Sequence, residues 1–278
     1  MTKPKFNSKL LLFGEYTIID NGNALAIPFP NFYGKWANST EKSNLIPFFN
    51  YLKTLNAYNG SKIEKAIERN LIFDSNIPQG YGLGSSGALS AAAHKTFYIG
   101  DILSKSKVRT QLAEIESFFH GSSSGLDPLT SYYNKPVLVH TSSIHLLSKL
   151  DLNHDFFLLN SKIERDSKPL IIWYRTQKEI NIEFKDALQQ LNHKNKVAID
   201  SLLCSNNAGV KSAFKSISQI QFEHFKKMIP NRIASIWAEG LKSDKYYLKL
   251  AGAGGGGFFL GLGDFKSINE DCFKIDGI

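Results

Sequence analysis

The stretch of sequence that decides the fold is Pro78-Gln-Gly-Tyr-Gly-Leu-Gly-Ser-Ser-Gly-Ala88. Its glycines lead to two serines at the start of a helix, predicted over Ser85–Asp101 from small and strongly helix-forming residues. Glycine lets a backbone approach a ligand closely, and a helix N-terminus presents N–H groups that favour a phosphate. The stretch therefore predicts either a phosphate-binding loop or a glycine-rich turn in which a serine caps the helix. The residues concerned are Gly80, Gly82, Gly84, Ser85 and Ser86.

A second glycine-rich stretch, Leu250-Ala-Gly-Ala-Gly-Gly-Gly-Gly-Phe258, lies between two predicted strands, Tyr246–Leu250 and Phe258–Leu262. Ordering four consecutive glycines has a large entropic cost. A close approach of this backbone to another loop or to a ligand would explain the glycines, and the alternative is a flexible tip. The apolar strands on both sides favour an ordered turn.

Two acidic residues flank a Gly/Ser segment in Glu116-Ser-Phe-Phe-His-Gly-Ser-Ser-Ser-Gly-Leu-Asp-Pro128. Glu116 lies near the end of an amphipathic helix predicted over Val108–Phe119, and Asp127 lies beyond the segment. Such a loop can bring one acid to a metal ion and the other to a proton. The alternatives are that Asp127 before proline is a turn residue, and that the lone His120 is a structural hydrogen-bonding residue.

The N-terminal region predicts a strand over Lys9–Thr17. Its apolar run, Leu10–Phe13, is typical of a strand buried on both faces. The turn residues Asp20-Asn21-Gly22-Asn23 then predict a hairpin into Ala24–Ile27. Lys9 before this run and Glu15 after it do not by themselves indicate a function.

The other hydrophobic patterns predict strands and helices in mixed order, which favours an α+β protein. The predicted strands are Leu71–Asp74, Pro136–His140, Ile144–Leu147, Phe156–Leu159 and Leu170–Tyr174. The predicted helices are 44–58, 176–203, 208–217, 219–228 and Asn231–Gly240. A polar stretch, Asp151–His154, predicts a domain boundary near residues 150–155.

Composition excludes several classes of protein. Hydrophobic residues make up 42% and charged residues 21%, which argues against disorder, and no apolar run is long enough for a membrane span. The net charge of +8 favours anionic partners, but the basic residues are scattered rather than gathered into a nucleic-acid-binding stripe. Two cysteines, Cys204 and Cys272, provide neither a disulfide framework nor a zinc motif, so a reduced cytoplasmic protein is expected.

Together the four stretches resemble the GHMP kinase superfamily, named for galactokinase, homoserine, mevalonate and phosphomevalonate kinases. A lysine strand, a G-L-G-S-S loop, an acidic S-G-x-D segment and a G-A-G-G-G-G loop occur in the family's order. The resemblance implies two α+β domains, the first related to ribosomal protein S5 and the second ferredoxin-like, with the active site between them. It assigns residues 1–152 to the first domain, with the ATP phosphate loop and the catalytic base, and residues 153–278 to the second, with the late glycine loop.

Within the family, the motifs are most similar to those of the mevalonate kinases. The resemblance implies that Asp127 is the catalytic base with Lys9 beside it, and that Ser86 and Glu116 hold Mg²⁺. It implies an ATP-phosphate site and a site for the alcohol substrate, with mevalonate favoured. The implied ATP-site residues are Pro78, Gly80, Gly82, Leu83, Gly84, Ser85 and Ser86. The implied substrate residues are Glu15, Tyr16, His120, Gly252 and Ala253.

Several departures from the family pattern keep alternatives open. Mevalonate kinases usually have His where Tyr16 stands and Thr where Ala251 stands, and Gly-Glu-Tyr is more typical of phosphomevalonate kinases. The alternatives are a phosphomevalonate kinase, another GHMP kinase that acts on a different small alcohol, or a non-catalytic relative that binds ATP or a metabolite. Additional cations near the acceptor would favour phosphomevalonate, and Lys35, Lys162 and Arg165 are the candidates. The expected assembly is a monomer or homodimer without nucleic-acid or membrane partners.

Overall fold

Strand β1 (Phe6–Phe13) begins the fold in the computed structural model, and the buried apolar run Leu10–Phe13 forms its second half. The structure describes residues 4–20, 22–140, 143–152 and 155–275. The predicted strand ends at Phe13 rather than at Thr17 because the backbone turns at Gly14, where φ is 111°. A Cβ atom at Gly14 would lie 2.5 Å from the Cβ of Ala24, so only glycine fits this turn.

After this turn, a 3-10 helix (Thr17–Asp20) leads to a long strand, β2 (Ala24–Asn38). The prediction had placed only the first four residues of β2 in a strand. Asn21 of the predicted turn, and Asn153 and His154 of the predicted domain boundary, lie outside the described residues.

Nine α-helices and seven further strands complete the described part of the chain. The helices are α1 (Ile46–Thr54), α2 (Gly60–Glu68), α3 (Ser85–Phe97), α4 (Lys105–His120), α5 (Leu126–Tyr133), α6 (Lys168–Ile180), α7 (Ile182–Leu203), α8 (Asn207–His224) and α9 (Asn231–Ser243). The further strands are β3 (Leu71–Ser75), β4 (Val137–His140), β5 (Ser143–Leu146), β6 (Phe156–Asn160), β7 (Tyr246–Leu250), β8 (Phe258–Gly263) and β9 (Cys272–Lys274). This mixture of helices and sheets confirms the predicted α+β class.

The strands form two sheets in the part of the chain that the structure describes. In the first sheet the order is β1-β2-β4-β5, and β3 pairs antiparallel with β2 from Gly34↔Ser75 to Asn38↔Leu71. The second sheet has the order β7-β8-β6-β9, with antiparallel pairing throughout. The late glycine stretch is therefore the connection between two adjacent strands, β7 and β8.

The chain divides into two compact units. The first contains Met1–Leu10, Ala26–Pro78 and Leu83–Val137, and in it α3 packs against α4 and α5. The second contains Leu11–Leu25, Gln79–Gly82 and Leu138–Ile278, and in it α8 packs against α7 and β7. The expected family domains, 1–152 and 153–278, stay a prediction.

One predicted strand is wrong, because Leu170–Tyr174 lies within helix α6. Leu170 and Tyr174 are buried and are one helical turn apart, whereas Ile172 between them is 64% exposed. The predicted helix 176–203 is two helices, and the Asn181 side chain between them caps α7 by accepting from the Phe184 N–H at 3.1 Å. The predicted helices 208–217 and 219–228 are one continuous helix, α8, followed by a 3-10 turn.

Two short helices, α2 and α5, were not predicted from the sequence. In the described part of the chain, no helix has the length and hydropathy that would let it cross a membrane.

Candidate active site

The first predicted phosphate loop ends at Gly84, which adopts a left-handed conformation (φ 72°) immediately before α3. Gly84 is therefore the N-cap residue, and the expectation that Ser85 or Ser86 caps the helix is wrong. Both serines lie inside the first turn. No side chain among the described residues caps this turn, and the first N–H groups of a helix have no partner within the helix.

Lys9 and Asp127 form an ion pair beside this helix start, with 2.9 Å between Nζ and Oδ1. The Lys9 side chain is 5% exposed and that of Asp127 is 32% exposed. A buried ammonium group needs a partner of opposite charge, and Asp127 provides it while keeping a face toward solvent. The backbone N–H of Lys9 also donates to the Leu83 carbonyl at 3.0 Å, which joins β1 to the first glycine-rich loop.

Glycine is required where the loop meets this ion pair. A Cβ atom at Gly84 would lie 2.9 Å from the Lys9 Cγ and 3.4 Å from the Asp127 Oδ2. A Cβ atom at Gly87 would lie 2.9 Å from the Asp127 carbonyl carbon. The small residues of the motif therefore let helix α3 approach Asp127 closely.

Glu116 occupies the buried end of this site, on α4. Its Oε1 accepts a hydrogen bond from the Ser86 hydroxyl at 2.9 Å, and its Oε2 accepts one from Ser123. Burial, followed by the negative charge of Asp127, raises the pKa of Glu116 to about 7, against the opposing effect of the two serines and Lys9. A positive charge beside this carboxyl group would favour its ionised form.

The segment between α4 and α5 is folded back onto α4 by two glycines. Gly121 ends α4 in a left-handed conformation. Gly125, also left-handed (φ 72°), lies where a Cβ atom would be 2.5 Å from the Arg109 carbonyl oxygen. The Arg109 Nε donates to the Ser124 carbonyl at 2.7 Å. Asp127 is consequently in the first turn of α5, rather than in an isolated turn.

His120 lies at the end of α4, with Nε2 3.0 Å from the Ser86 hydroxyl oxygen. The first unit thus brings together six residues that the sequence singled out. They are Lys9, Gly84, Ser86, Glu116, His120 and Asp127.

The other predicted residues divide between the two units. Pro78, Leu83 and Ser85 belong to the first unit, and the second unit holds Glu15, Tyr16, Gly80, Gly82, Gly252 and Ala253. The hydroxyl of Tyr16 donates to the Ala253 carbonyl oxygen at 2.6 Å. Glu15 forms an ion pair with Lys249, and both side chains are completely buried. Sequence reasoning missed Lys249. A single lysine in the otherwise apolar strand Tyr246–Leu250 was the signal for it, because a charge in a buried strand needs a partner.

Arg165 lies against two of the predicted glycines. Its Nη1 atom would be 2.7 Å from a Cβ atom at Gly82 and 3.0 Å from one at Gly252, and it donates to the Ala251 carbonyl oxygen at 3.4 Å. Gly80 is similarly close to Glu164, with 2.6 Å from its Cβ position to the Glu164 Cγ. Of the three cations that the sequence suggested, Arg165 is the one that contacts the glycine motifs. Lys35 and Lys162 pair instead with Asp74 and Asp271.

Comparison with known proteins identifies the fold. Residues 48–135 match the family model described as GHMP kinases N terminal domain. A search of curated proteins gave no match.

Solved structures of similar fold include three kinases. Mevalonate kinase from methicillin-resistant Staphylococcus aureus MRSA252 has a TM-score of 0.62 and 17% identity, with 99% of each chain covered. Mevalonate kinase from Methanococcus jannaschii has a TM-score of 0.67 and 17% identity, with 100% of this chain and 98% of that chain covered. Phosphomevalonate kinase from Streptococcus pneumoniae has a TM-score of 0.70 and 16% identity, with 99% of each chain covered. Residues 48–135 are therefore similar to the GHMP kinase N-terminal domain, and the chain as a whole has the fold of these solved kinases.

Proposed function

We propose that this chain is an ATP-dependent kinase that transfers the γ-phosphoryl group to the primary hydroxyl of mevalonate. The observation that carries the proposal is the Lys9–Asp127 pair, 2.9 Å apart beside the uncapped start of α3. A carboxylate, a buried cation and a row of helix N–H groups are thereby gathered in one small region. Phosphoryl transfer depends mainly on such positioning and on neutralising charge.

Asp127 is the proposed catalytic base. Its carboxylate keeps about a third of its surface exposed, so an acceptor hydroxyl can reach it, and Lys9 holds it in one orientation. The hydroxyl oxygen attacks the γ-phosphorus atom of ATP as the bond from that atom to the leaving ADP breaks, and Asp127 accepts the hydroxyl proton. The Lys9 ammonium stabilises the negative charge that develops on the attacking oxygen.

The start of α3 and the preceding loop are the proposed site for the ATP phosphates. The N–H groups of Ser85 and Ser86 and the partial positive charge of the helix favour an anion there. Gly80, Gly82 and Leu83 complete the loop, and Pro78 precedes it. Gly84 contributes by keeping the backbone free of a side chain beside Lys9.

Mg²⁺ fits the residues at the buried end of the site. Ser86 and Glu116 provide oxygen ligands, which this hard cation prefers. Burial makes the Glu116 carboxylate costly to ionise, and a divalent cation would offset that cost. The described residues contain no cluster of three or more His, Cys, Asp or Glu side chains that could hold a metal. Two protein ligands are enough for Mg²⁺, which usually completes its shell with phosphates and water. When bound, the ion would neutralise charge on the phosphates.

Mevalonate is the favoured acceptor, and five residues are proposed to bind it or to position the groups that bind it. They are Glu15, Tyr16, His120, Gly252 and Ala253. Mevalonate carries a carboxylate, and an arginine is well suited to bind one. The position of Arg165 beside Gly252 supports an acceptor with an anionic group. Phosphomevalonate is the second candidate. An additional cation favours it, since the Arg165 guanidinium group can equally bind a phosphate, and Tyr16 after the Gly-Glu pair is more typical of phosphomevalonate kinases. Mevalonate stays the first candidate because the segment from Glu116 to Asp127 has the motif spacing of the mevalonate kinases.

A turnover assay with a panel of alcohols tests this proposal. ADP release is followed with ATP and Mg²⁺ plus mevalonate, phosphomevalonate, homoserine or galactose, and phosphorylation of mevalonate is expected. Binding of ATP without turnover of any alcohol would identify a non-catalytic relative and refute the proposal. Turnover of homoserine or galactose alone would support a kinase activity but would refute mevalonate as the acceptor.

A further inference from the structure

The glycine loop between β7 and β8 is held in place by its surroundings rather than by its own side chains. Four of its glycines, Gly252, Gly254, Gly255 and Gly257, have φ values between 68° and 103°. The Gly255 N–H donates to the Met228 carbonyl and the Gly257 N–H to the Ile163 carbonyl, both at 2.7 Å. A loop of this composition loses much conformational entropy on ordering, so external contacts must offset that loss.

Tyr16 makes one of these contacts with unusual backbone geometry. Its φ is 63°, in the left-handed region that tyrosine rarely adopts, and such a conformation persists only where neighbouring contacts enforce it. Its ring packs against Tyr174, with centroids 4.6 Å apart, and against Phe225 at 5.6 Å. These rings direct the Tyr16 hydroxyl to the Ala253 carbonyl oxygen, 2.6 Å away.

Glu15, the residue before Tyr16, makes a second contact, with the strand β7 that leads into the glycine loop. Glu15 pairs with Lys249, and the Lys249 ammonium also donates to the Leu250 carbonyl at 2.9 Å. Removing two charges completely from water is costly unless both are paired and hydrogen-bonded. The ion pair therefore holds the end of β7, immediately before the glycine loop, in one position relative to Glu15.

We infer that Glu15 and Tyr16 form a two-point brace, with Glu15 holding Lys249 at the end of β7 and Tyr16 holding Ala253 within the loop. Tyr16 is thus a positioning residue that presents the loop to the acceptor. This role in acceptor binding rests on the proposed function. The brace also gives a reason for tyrosine after the Gly-Glu pair, because its hydroxyl reaches a loop that has Ala251 and no hydroxyl residue at its start.

The state of the Tyr16 hydroxyl agrees with a bracing role. Burial raises the pKa of Tyr16 well above its usual range, with the positive charge of Arg165 opposing the effect. The hydroxyl therefore stays protonated and remains a donor to Ala253. A hydroxyl engaged in this way does not serve as an acid or base in the reaction.

Tyr16→Phe tests the brace, because it removes the hydroxyl and keeps the ring. Hydrogen exchange at the Gly255 and Gly257 amides is expected to quicken by about three- to tenfold, since one hydrogen bond that restrains the loop is lost. The KM for the acceptor should rise by a similar factor, while the KM for ATP stays unchanged. Tyr246→Phe is the matched control, because the Tyr246 hydroxyl also donates to a backbone carbonyl, that of Ile236, at 2.7 Å. The control should change neither quantity.

Unchanged exchange at both amides in Tyr16→Phe would overturn the brace, as would an equal rise in the KM for ATP and for the acceptor. The double variant Glu15→Gln/Lys249→Met removes the other contact without leaving a buried charge unpaired. It too should quicken exchange at Gly255, and unchanged exchange there would overturn the role of the ion pair. If the wild-type protein turns over no acceptor, the proposed function fails, and the exchange rates alone then decide whether the brace exists.

Discussion

Asp127→Asn is the substitution that probes the proposed chemistry most sharply. The amide occupies nearly the same volume as the carboxylate, so the turn of α5 and the close approach of Gly84 and Gly87 are preserved. It cannot accept a proton from an acceptor hydroxyl, and it leaves the Lys9 ammonium without its partner carboxylate. The substitution therefore separates positioning of the loop from proton transfer.

The expected magnitudes follow from the exposure of the two side chains. A positioned general base contributes about 10²–10⁴ to the rate, so kcat should fall by at least that factor. Breaking a fully buried ion pair costs about 3–5 kcal/mol. Asp127 is about a third exposed and solvent screens the pair, so the free energy of unfolding should fall by only about 1–3 kcal/mol. Binding of ATP should survive, because the α3 N–H groups are unchanged.

The assay combines acceptor-dependent ADP release, ATP binding by calorimetry and urea unfolding. Asp74→Asn is the matched control. It removes the same group from a Lys–Asp pair on the surface, where Asp74 lies 3.5 Å from Lys35 and both side chains are largely exposed. The control should keep its kcat and its stability. An Asp127→Asn variant that retains wild-type kcat would show that Asp127 is only a structural residue of α5, and would refute the assignment of the base.

The remaining predictions concern the metal ligands and acid stability. Ser86→Ala and Glu116→Gln should each raise the Mg²⁺ concentration needed for half-maximal activity at fixed ATP, because each removes an oxygen ligand. Ser90→Ala, one turn further along α3, is the control, and unchanged midpoints in both site variants would remove these residues from the metal site. His94 is buried, and burial lowers its pKa below the usual 6.5. Between about pH 7 and 5, His94 is therefore protonated more readily in the unfolded chain than in the folded one. The free energy of unfolding should fall as the pH drops through this range. His94→Phe keeps the stacking on Tyr98 and should reduce this pH dependence of urea unfolding, whereas an undiminished dependence would contradict the prediction.

The sequence predicted the fold well where short motifs impose the backbone geometry. The glycine-rich stretches require close approaches and positive φ values, and these constraints are local enough to identify in one sequence. The strands on both sides of the late glycine loop, Tyr246–Leu250 and Phe258–Leu262, were predicted almost to the residue. Their apolar residues, interrupted in the first strand by Lys249, correspond to burial of both segments in the sheet.

Prediction failed where tertiary packing decides between two structures. Leu170–Tyr174 is rich in isoleucine and aromatic residues, which favours a strand, yet burial of one face against the rest of the second unit makes it helical. Helix α5 was missed because it has only eight residues, and its start depends on the contact between Gly125 and Arg109. Such a contact joins residues of two different helices, so it produces no recognisable pattern in the local sequence.

The site shows the same division. The motifs identified Lys9, Glu116 and Asp127 as candidates, whose chemical roles stay predictions. The motifs do not give the pairing of Lys249 with Glu15 or the bond from Tyr16 to Ala253, because each joins residues more than two hundred positions apart. Only folding shows that the two buried charges, Glu15 and Lys249, are partners.

The most direct test of the proposed function is the ratio of kcat/KM for mevalonate to that for phosphomevalonate, measured with ATP and Mg²⁺. Phosphorus NMR of the product would identify the hydroxyl that receives the phosphoryl group. We expect the higher kcat/KM for mevalonate, with one phosphate on its primary hydroxyl. A preference for phosphomevalonate would contradict the proposed acceptor, and the absence of phosphorylated product from either compound would contradict the proposed function.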